Sequence, residues 1–480
     1  MTEKYEHIQV AIDFTNIVRT TLGPRGMNKM IIDEANNQTI LTNDGATIVG
    51  SFRGGNPIVE LFKSVAHSQE DAIGDGTTTS IILSGQLLQN AMYLINKGIH
   101  PTTIINGYNI AKMRIMQYFE KNFSGKNSIS PDEREKIIRT CFGTKLPKDI
   151  IDKLTNLIMN IKDIMDFKIT RFNNSDALDS KIFNGFVFEG FVLNDRMKAE
   201  TSGKVAVLDF PVNWKMDNFS VTNAKDMEEV QNKDSEYKKK IVDRLKELGV
   251  ECVFYTDTTP EFESYLTENG ISGIVVFARE NIDGICQATK CIAASSLEQL
   301  NENHIGSGKM RYEKPRSGRG HIWVDGDMQT IVLKGNTQQL LEEMIRAIDD
   351  VLGLLRNDLE YCIGAGAIEI EIANDLREFA KQVGGKEQLA ILKFAESIES
   401  IPQIIAENSG LDAIEIITTL STLHQNGEKD MGVDVGIGIS NARERGIFEP
   451  VLIKIHAINS ATNITTLILK IDKVLLGQLK

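Results

Sequence analysis

One short segment has a composition that suits neither a protein core nor a helix interior. Residues 74–80 read GDGTTTS, so that Asp75 stands between two glycines and precedes three threonines. Glycine and the stiff, β-branched threonines both disfavour a helix interior. The residues that follow carry apolar side chains at helical spacing, which predicts a helix. Lys97, Gly98 and Pro101 indicate where this helix ends. The threonines are therefore predicted to lie at a helix N-terminus, where unpaired N–H groups and the helix dipole favour phosphate.

The acid in this segment suggests a cation in addition to an anion. A carboxylate beside phosphates would be repelled unless a cation lay between them, and so Asp75 indicates Mg²⁺. The alternative is that the segment caps the helix and does nothing more. The seven residues by themselves do not decide between these two interpretations.

Three further turns share the glycine-rich character of this segment. They read TLGPRG (21–26), TNDGAT (42–47) and GAGA (364–367), and each would expose backbone N–H groups in a tight turn.

Two other segments only look like nucleotide loops. HIGSGKM (304–310) has Asn303 where a Walker loop needs glycine and Met310 where it needs serine or threonine. VGIGISNARERG (435–446) lacks the strand-turn-helix unit of a dinucleotide site.

The bulk properties of the chain exclude several classes of protein. Its 480 residues predict two to four domains, and a net charge of −13 argues against nucleic acid as the main partner. Five scattered cysteines without a CxxC pair indicate a reducing compartment, with Cys286 and Cys291 as packing residues. The charged N-terminal segment does not resemble a secretory signal, and no run of apolar residues is long enough to span a membrane. We therefore expect a cytoplasmic protein.

The two ends of the chain are alike in pattern, and the middle differs from them. The ends alternate helical patterns with glycine-rich loops, including a predicted hairpin of KMIID and QTILTND and a helix capped by Asn56 before Pro57. A long helix is predicted from Asn336 to about Leu359. Residues 182–325 alternate strand-like and helical runs, which is typical of an α/β module. A highly charged helix is predicted within that module, around residues 223–248.

Taken together, these motifs resemble the group II chaperonins of the TCP-1/chaperonin family. TTLGPRGMNKMI, TNDGATI, GDGTTT and GIHPTTIINGY follow the family's order and spacing. VLKG, EEMIRAIDDVL, GAGAIE, GVDV and IFEPVLIKIHAINSAT continue the resemblance, which covers residues 1–125 and 330–475. VRTTLGPRGM and the stretch GGKEQLAILKFAESIESIPQIIAENSGLDA are most similar to the eta-type subunit of the eukaryotic cytosolic chaperonin TRiC (CCT).

The resemblance implies a multi-domain chaperonin fold. Residues 1–122 and 363–480 would form a mostly α-helical equatorial domain that binds ATP. Residues 123–181 and 326–362 would form a small α/β intermediate domain that acts as a hinge. Residues 182–325 would form an α/β apical domain that binds client proteins, and its charged helix would belong to a helical protrusion that serves as a built-in lid.

The resemblance also assigns roles to individual residues. Asp75 would ligate Mg²⁺, and Asp44 and Asp350 would orient the attacking water, with the neighbouring Asp349 as the alternative to Asp350. Glu449 would contact the ribose. The remaining nucleotide-binding residues implied by the family are Leu22, Gly23, Pro24, Gly45, Gly76, Thr77, Thr78, Thr79, Gly364 and Gly366, and residues 433–435 would line the adenine pocket. The chain departs from the family's GGGA turn, because Ala365 stands at the second glycine.

The implied function is ATP-dependent protein folding. The subunit would hydrolyse ATP with Mg²⁺, bind unfolded clients such as cytoskeletal proteins, and assemble with paralogous subunits in a double ring of about eight per ring. The alternative is a structural or client-binding subunit that binds ATP but hydrolyses it weakly. A small-molecule phosphotransferase is a third possibility, but the sequence shows neither a kinase motif nor a separate acceptor pocket.

Overall fold

The computed structural model describes residues 5–33, 38–52, 55–123, 130–143, 145–164, 166–173, 175–190, 198–214, 224–257, 259–313, 320–356 and 360–472. The chain divides into two compact units. The first consists of Met1–Met159 and Thr337–Lys480, and the second of Asn160–Asn336. Both segments predicted for the intermediate domain are thus shared between the two units, while the three-domain boundaries remain a prediction.

The described residues in the N-terminal part of the first unit are mainly helical, and they include a β-hairpin. Strands β1 (Lys29–Asp33) and β2 (Gln38–Thr42) pair antiparallel, which confirms the predicted hairpin, although its turn EANN lies outside the described residues. The Asn56 side chain accepts a hydrogen bond from the Ile58 N–H at 2.9 Å, as expected of the predicted cap. The helices are α1 (Glu6–Arg19), α2 (Gly45–Ser51), α3 (Pro57–Ile73), α4 (Thr77–Asn96), α5 (Pro101–Phe123), α6 (Pro131–Phe142) and α7 (Lys148–Met159).

In the residues that the structure describes, the second unit is built on a seven-stranded mixed sheet. Its strands are β3 (Phe167–Asn173), β4 (Lys181–Gly190), β5 (Glu200–Leu208), β6 (Val250–Tyr255), β7 (Ser272–Val275), β8 (Ile305–Glu313) and β9 (Gly320–Gly335). They are ordered β3-β9-β8-β5-β6-β7, with β4 paired to β9. The parallel strands β5, β6 and β7 read as the apolar runs expected of buried parallel strands. HIGSGKM lies in β8 apart from its first residue and is no phosphate loop.

Among its described residues, the second unit also contains three α-helices: α8 (Ala224–Glu247), α9 (Pro260–Glu268) and α10 (Arg279–Thr289). Helix α8 corresponds to the charged helix that the sequence predicts. Its Ile241, Val242 and Leu245 are buried in an apolar cluster with β6 and α9, so the last part of this helix is anchored in the body of the unit.

The chain then returns to the first unit. Helix α11 (Gln338–Leu355) is the predicted long helix, and it begins later than predicted because Thr337 caps it by accepting from the Leu340 N–H at 3.2 Å. Helices α12 (Ala367–Ala380), α13 (Glu387–Asn408), α14 (Ala413–Gln425) and α15 (Val451–Leu469) follow, with the short strands β10 (Tyr361–Ile363), β11 (Met431–Asp434), β12 (Gly438–Asn441) and β13 (Phe448–Pro450).

The core of the first unit joins the two ends of the chain. Helix α4 packs against α1, α13 and α15, and α5 packs against α13 and α15, so helices from both ends bury their apolar faces together. Tyr108 and Phe394, from opposite ends, meet edge to face with ring centroids 5.4 Å apart. The loops at the ends of these helices are thereby fixed relative to one another. In the part of the chain that the structure describes, no helix is long and apolar enough to cross a lipid bilayer.

Candidate functional site

The glycine-rich turns of the sequence meet at one cavity of about 650 Å³ in the first unit. Turns from the N-terminal part of the chain form one side of this cavity, and α6 with the loop after it, α11 and the C-terminal part of the chain form the rest. The lining includes residues 21–24, 43–44, 74–79, 433–435 and 444–450.

The threonines of the opening segment lie where the sequence predicts them. Thr77 is the first residue of α4, and Thr77, Thr78 and Thr79 all line the cavity. Gly76 precedes them in the left-handed region at φ 85°, and a Cβ there would lie 2.6 Å from the Ile453 side chain, so glycine is required. Gly76 provides no side chain to cap the helix, which leaves the first N–H groups of α4 without a side-chain cap beside the cavity.

Asp75 is held in place from three directions. One oxygen of its carboxylate accepts from the Gly76 N–H at 2.7 Å, and the other lies 3.6 Å from the Cys141 sulfur. The Gln69 side chain donates to the Asp75 carbonyl at 2.9 Å. Burial and the negative charge of Asp75 raise the pKa of the Cys141 thiol, which keeps it protonated and able to donate.

Asp44 occupies the N-cap of α2. Its carboxylate accepts from the Thr47 N–H at 2.7 Å, and it lines the cavity. Its neighbour Gly45 does not line the cavity. A Cβ on Gly45 would lie 2.6 Å from the Thr78 hydroxyl, so this glycine allows α2 to approach α4 closely.

Lys145 is the main residue that the sequence did not indicate. It lies in the loop after α6, its side chain is 10% exposed, and its ammonium contacts the Asp350 carboxylate and lies 3.9 Å from the Asp75 carboxylate. Burial disfavours its charge, but Asp350 and Asp75 outweigh that effect and raise the pKa of Lys145 well above its usual range. A single lysine without a surrounding motif gives no signal in the sequence.

Asp350 and Asp349 have different surroundings. Asp350 lies on α11, lines the cavity and is mostly buried, whereas Asp349 is exposed and does not contribute to the lining. Burial raises the pKa of Asp350, and the nearby carboxylates of Asp75 and Asp44 raise it further, against the opposing effect of Lys145. Three carboxylates and one ammonium therefore share this end of the cavity.

The GAGA turn approaches the cavity in a strained backbone conformation. Ala365 lies at φ 56°, in the left-handed region that favours glycine, and Gly366 lies at φ 80° as the N-cap of α12. The Ala365 carbonyl accepts from the Val433 N–H at 2.8 Å, which joins this turn to β11. Ala365 and Gly366 line the cavity, while Gly364 does not and packs against the Glu449 side chain instead.

Behind Glu449 lies a buried charge cluster that the sequence analysis also missed. The Lys454 ammonium contacts Glu449 and donates to Glu369 at 2.7 Å, and all three residues line the cavity. The two carboxylates overcome the burial of Lys454 and raise its pKa. Glu369 belongs to the segment GAGAIE, and Lys454 belongs to the segment EPVLIK. The spacing of residues along either helix does not show that these two side chains meet.

The remaining predicted residues also line the cavity. They are Leu22, Gly23 and Pro24 in the turn after α1, and Val433, Asp434 and Val435 at the end of β11. The Asn408 side chain donates to the Leu22 carbonyl at 2.9 Å, which fixes the first turn to α13.

The donor set is compatible with Mg²⁺ bound together with phosphates. Within the described ranges, no group of three or more histidine, cysteine, aspartate or glutamate side chains is arranged to enclose a metal. Mg²⁺ is commonly held by one or two carboxylates together with substrate phosphates rather than by an all-protein cage. Asp75, beside the open N-terminus of α4, provides such a carboxylate.

Comparison with known proteins identifies the family. Residues 14–478 match the model of the TCP-1/cpn60 chaperonin family. Thermosome subunit 1 of Haloferax volcanii is 32% identical over 95% of this chain and 86% of that relative. The thermosome subunit of Methanopyrus kandleri and thermosome subunit beta of Thermoplasma acidophilum are each 31% identical over 98% of this chain and 91% of the relative. The chain therefore belongs to the TCP-1/cpn60 chaperonin family, in its group II, thermosome-like branch.

Proposed function

We propose that this chain is an ATP-hydrolysing subunit of a protein-folding ring built from paralogous group II chaperonin subunits. The observation that carries the proposal is the convergence of an uncapped helix N-terminus with Asp44, Asp75, Asp350 and Lys145 at a single cavity. These groups come from turns far apart in the sequence, and the chain matches the chaperonin family over nearly its whole length.

Phosphate binding is assigned to the start of α4. The N–H groups and hydroxyls of Thr77, Thr78 and Thr79 would donate to phosphate oxygens, because the helix dipole and unpaired donors favour an anion there. Asp75 would hold Mg²⁺, which neutralises phosphate charge when it is bound. The Leu22, Gly23 and Pro24 turn would contact the phosphates and base, Val433 to Val435 the adenine, and Glu449 the ribose.

Hydrolysis is assigned to two acids at the same end of the cavity as Asp75. Asp44 and Asp350 would orient the water that attacks the γ-phosphate in line, so that catalysis rests on positioning and electrostatics. Lys145 is a positioning residue in this scheme, because its ammonium holds the Asp350 carboxylate. Gly45 and Gly364 would act indirectly. Gly45 would allow α2 to approach α4 closely, and Gly364 would leave space for the Glu449 side chain.

Ring assembly is assigned in part to the hairpin of β1 and β2. Met30 and Ile32 on one face of this hairpin are both 68% exposed, and the partner of Met30, Leu41, is 45% exposed. A two-stranded hairpin is marginally stable by itself, and an exposed apolar face on it suits a neighbouring subunit. Among the relatives, Archaeoglobus fulgidus has thermosome subunits named alpha and beta, which supports rings of related chains.

The finer assignments extend this proposal. The similarity of VRTTLGPRGM to the eta-type TRiC subunit supports a cytoplasmic ring of about eight subunits with unfolded clients such as cytoskeletal proteins. In this scheme residues 1–122 and 363–480 form the equatorial domain, 123–181 and 326–362 the hinge, and 182–325 the apical domain, with α8 belonging to the helical protrusion that serves as the lid.

The second candidate is a subunit that binds ATP but hydrolyses it weakly. The observation in its favour is Ala365, which stands where the family's turn has glycine. Its backbone is left-handed, and its side chain adds a Cβ at that position. The acids Asp44, Asp75 and Asp350 favour the hydrolysing subunit, because all three line the cavity.

The test is a preparation of the assembled particle. Electron microscopy and native mass should show a double ring that contains this chain with related chains, and the particle should refold a chemically denatured client only with ATP and Mg²⁺. A purified monomer that refolds the client with ATP would contradict the ring proposal. A ring in which mutation of both Asp44 and Asp350 in this chain leaves its single-turnover hydrolysis unchanged would favour the second candidate.

A further inference from the structure

Two cysteines of the second unit lie close enough to react with each other. Cys286 is in the last part of α10, and Cys291 follows the end of that helix. Their sulfur atoms are 3.6 Å apart, and all five cysteines of the chain are free thiols. A disulfide requires the sulfurs to approach by only about 1.5 Å more, since its S–S bond is about 2.05 Å.

The end of α10 produces this proximity. Lys290 adopts a left-handed conformation with φ 58°, which turns the chain back toward the last helical turn. The Cys291 N–H then donates to the Cys286 carbonyl at 3.2 Å. The backbone itself thus brings the two side chains together. Cys286 is partly exposed, which gives a small reagent access to the pair, while Cys291 is buried.

The surroundings of the two sulfurs differ in a way that activates one of them. The Thr289 hydroxyl oxygen lies 3.1 Å from the Cys291 sulfur and 2.7 Å from the Ile285 carbonyl, so its proton can turn to a thiolate at Cys291. The hydrogen bond between the two thiols and the one from the Thr289 hydroxyl lower the pKa of Cys291, against the opposing effect of burial. The hydrogen bond with Cys291 and burial both raise the pKa of Cys286. One sulfur is therefore the better nucleophile and the other remains a protonated thiol.

We propose that Cys286 and Cys291 form a reversible dithiol–disulfide site that reacts with hydroperoxides. Cys291 loses its proton, and the resulting thiolate attacks one oxygen of hydrogen peroxide. The O–O bond breaks, the departing hydroxide takes up the proton, and a sulfenic acid and one water result. The Cys286 sulfur then attacks the sulfenic sulfur; the S–S bond forms, the S–O bond breaks, and the leaving hydroxyl takes the Cys286 proton and departs as a second water. In sum, two thiols lose two protons and two electrons, and one peroxide is reduced to two waters. A small thiol such as glutathione reverses the reaction by exchange.

The disulfide would join two parts of the second unit covalently. After Cys291 the chain runs beside β5, where the Ala294 N–H donates to the Val207 carbonyl at 2.9 Å and the Ala294 carbonyl accepts from the Asp209 N–H at 2.9 Å. The bond would therefore fasten the end of α10 to the segment that pairs with β5. This site lies outside the nucleotide cavity and does not depend on the proposed ATPase.

The test uses the full-length chain and peptide mass spectrometry. The chain is treated with hydrogen peroxide, the remaining thiols are alkylated in denaturant, and trypsin is added. Cleavage after Arg279, Lys290 and Lys309 separates the two cysteines into peptides 280–290 and 291–309. We expect these two peptides to be recovered as one disulfide-linked pair that glutathione separates. Cys252, whose sulfur contacts Met310, serves as the internal control and should be recovered alkylated.

Two variants make the result decisive. With Cys286→Ser the linked pair cannot form, and we expect a sulfenic acid at Cys291 that a dimedone probe traps. With Thr289→Val the linked pair should form several-fold more slowly, because the donor to the thiolate is lost. The proposal is overturned if the unmodified chain gives no linked pair, or if Cys252 and Cys286 oxidise at the same rate. A linked pair in which Thr289→Val has no effect on the rate would overturn the assignment of Cys291 as the nucleophile.

Discussion

The ammonium of Lys145 contacts the carboxylate of Asp350, although the two residues are 205 positions apart in the chain. One belongs to the loop after α6 and the other to α11, and both lie at the cavity that Asp75 and Asp44 also line. A buried ion pair of this kind fixes the position of a carboxylate more than it stabilises the fold, because desolvation offsets much of the attraction. The contact therefore distinguishes Asp350 from the acid beside it.

The first prediction separates these two adjacent acids. Asp350→Ala should leave ATP affinity nearly unchanged and slow single-turnover hydrolysis by this subunit on the order of 10² to 10⁴-fold, as expected for loss of a water-positioning group. Asp349→Ala is the matched control and should have little effect, because its side chain is exposed and outside the cavity lining. Rapid-quench kinetics of rings with only this subunit changed would measure both. A larger loss with Asp349→Ala would contradict the assignment.

The second prediction concerns the acid of the GDGTTT turn. Asp75→Asn should weaken binding of Mg-ATP markedly and affect metal-free ATP much less, because the N–H donors of α4 remain while the ligand for the bridging cation is lost. Calorimetric titration of the assembled ring, with Mg²⁺ and with EDTA, measures the two affinities. Equal losses in both titrations would indicate a structural role for Asp75 instead.

The third prediction concerns the buried lysine between two glutamates. Lys454→Met should lower the free energy of unfolding by about 3–5 kcal/mol, because Glu369 and Glu449 would lose the cation that contacts both of them. Lys470→Met is the control, since Lys470 is exposed at the end of the same helix and its loss should cost no more than about 0.5 kcal/mol. Urea denaturation of the full chain compares the two, and similar midpoints would argue against this cluster as a stabilising element.

The fourth prediction tests the strain at the GAGA turn. Ala365→Gly should be neutral or stabilise the chain by up to about 1 kcal/mol. The substitution removes the strain of a left-handed alanine from the folded state, but it also increases the backbone entropy of the unfolded state, which offsets part of that gain. Ala367→Gly should destabilise the chain by about 1 kcal/mol, because Ala367 is a buried helical residue of α12. Thermal unfolding of the two variants side by side measures the difference. Equal destabilisation would show that Ala365 is not strained.

The fifth prediction concerns pH. His321 stacks on Phe172 with centroids 3.5 Å apart, and burial lowers its pKa despite the opposing charges of Glu189 and Glu313. Because its pKa is lower in the folded state, the unfolded state binds more protons, and the stability contributed by the neutral ring is lost as pH falls below about 6.5. His321→Phe should therefore make urea stability less sensitive to pH between about 7.5 and 5.5. An unchanged dependence of urea stability on pH in His321→Phe would contradict this role of His321.

The amino-acid sequence by itself determined the local features of the site. The threonines at the start of α4, the hairpin of β1 and β2, and the Asn56 cap all follow from residues adjacent to one another. Such features depend on backbone preferences and short-range hydrogen bonds, and these are written directly in residue type and spacing. The order of four glycine-rich turns was also sufficient to indicate the family, which the comparisons confirm.

Only the tertiary structure decided which distant side chains meet. Lys145 belongs to no motif, yet the packing of helices from both ends of the chain brings it to Asp350. Gly45 and Gly364 belong to the predicted motifs but serve the approach of Thr78 and Glu449 rather than the cavity wall. Cys286 and Cys291 are close because Lys290 turns left-handed at the end of α10. Some of these contacts join residues that are far apart in the sequence and meet only when the helices pack. The cysteine pair depends instead on a single backbone dihedral angle. For both reasons, the spacing of residues in the sequence does not predict these contacts.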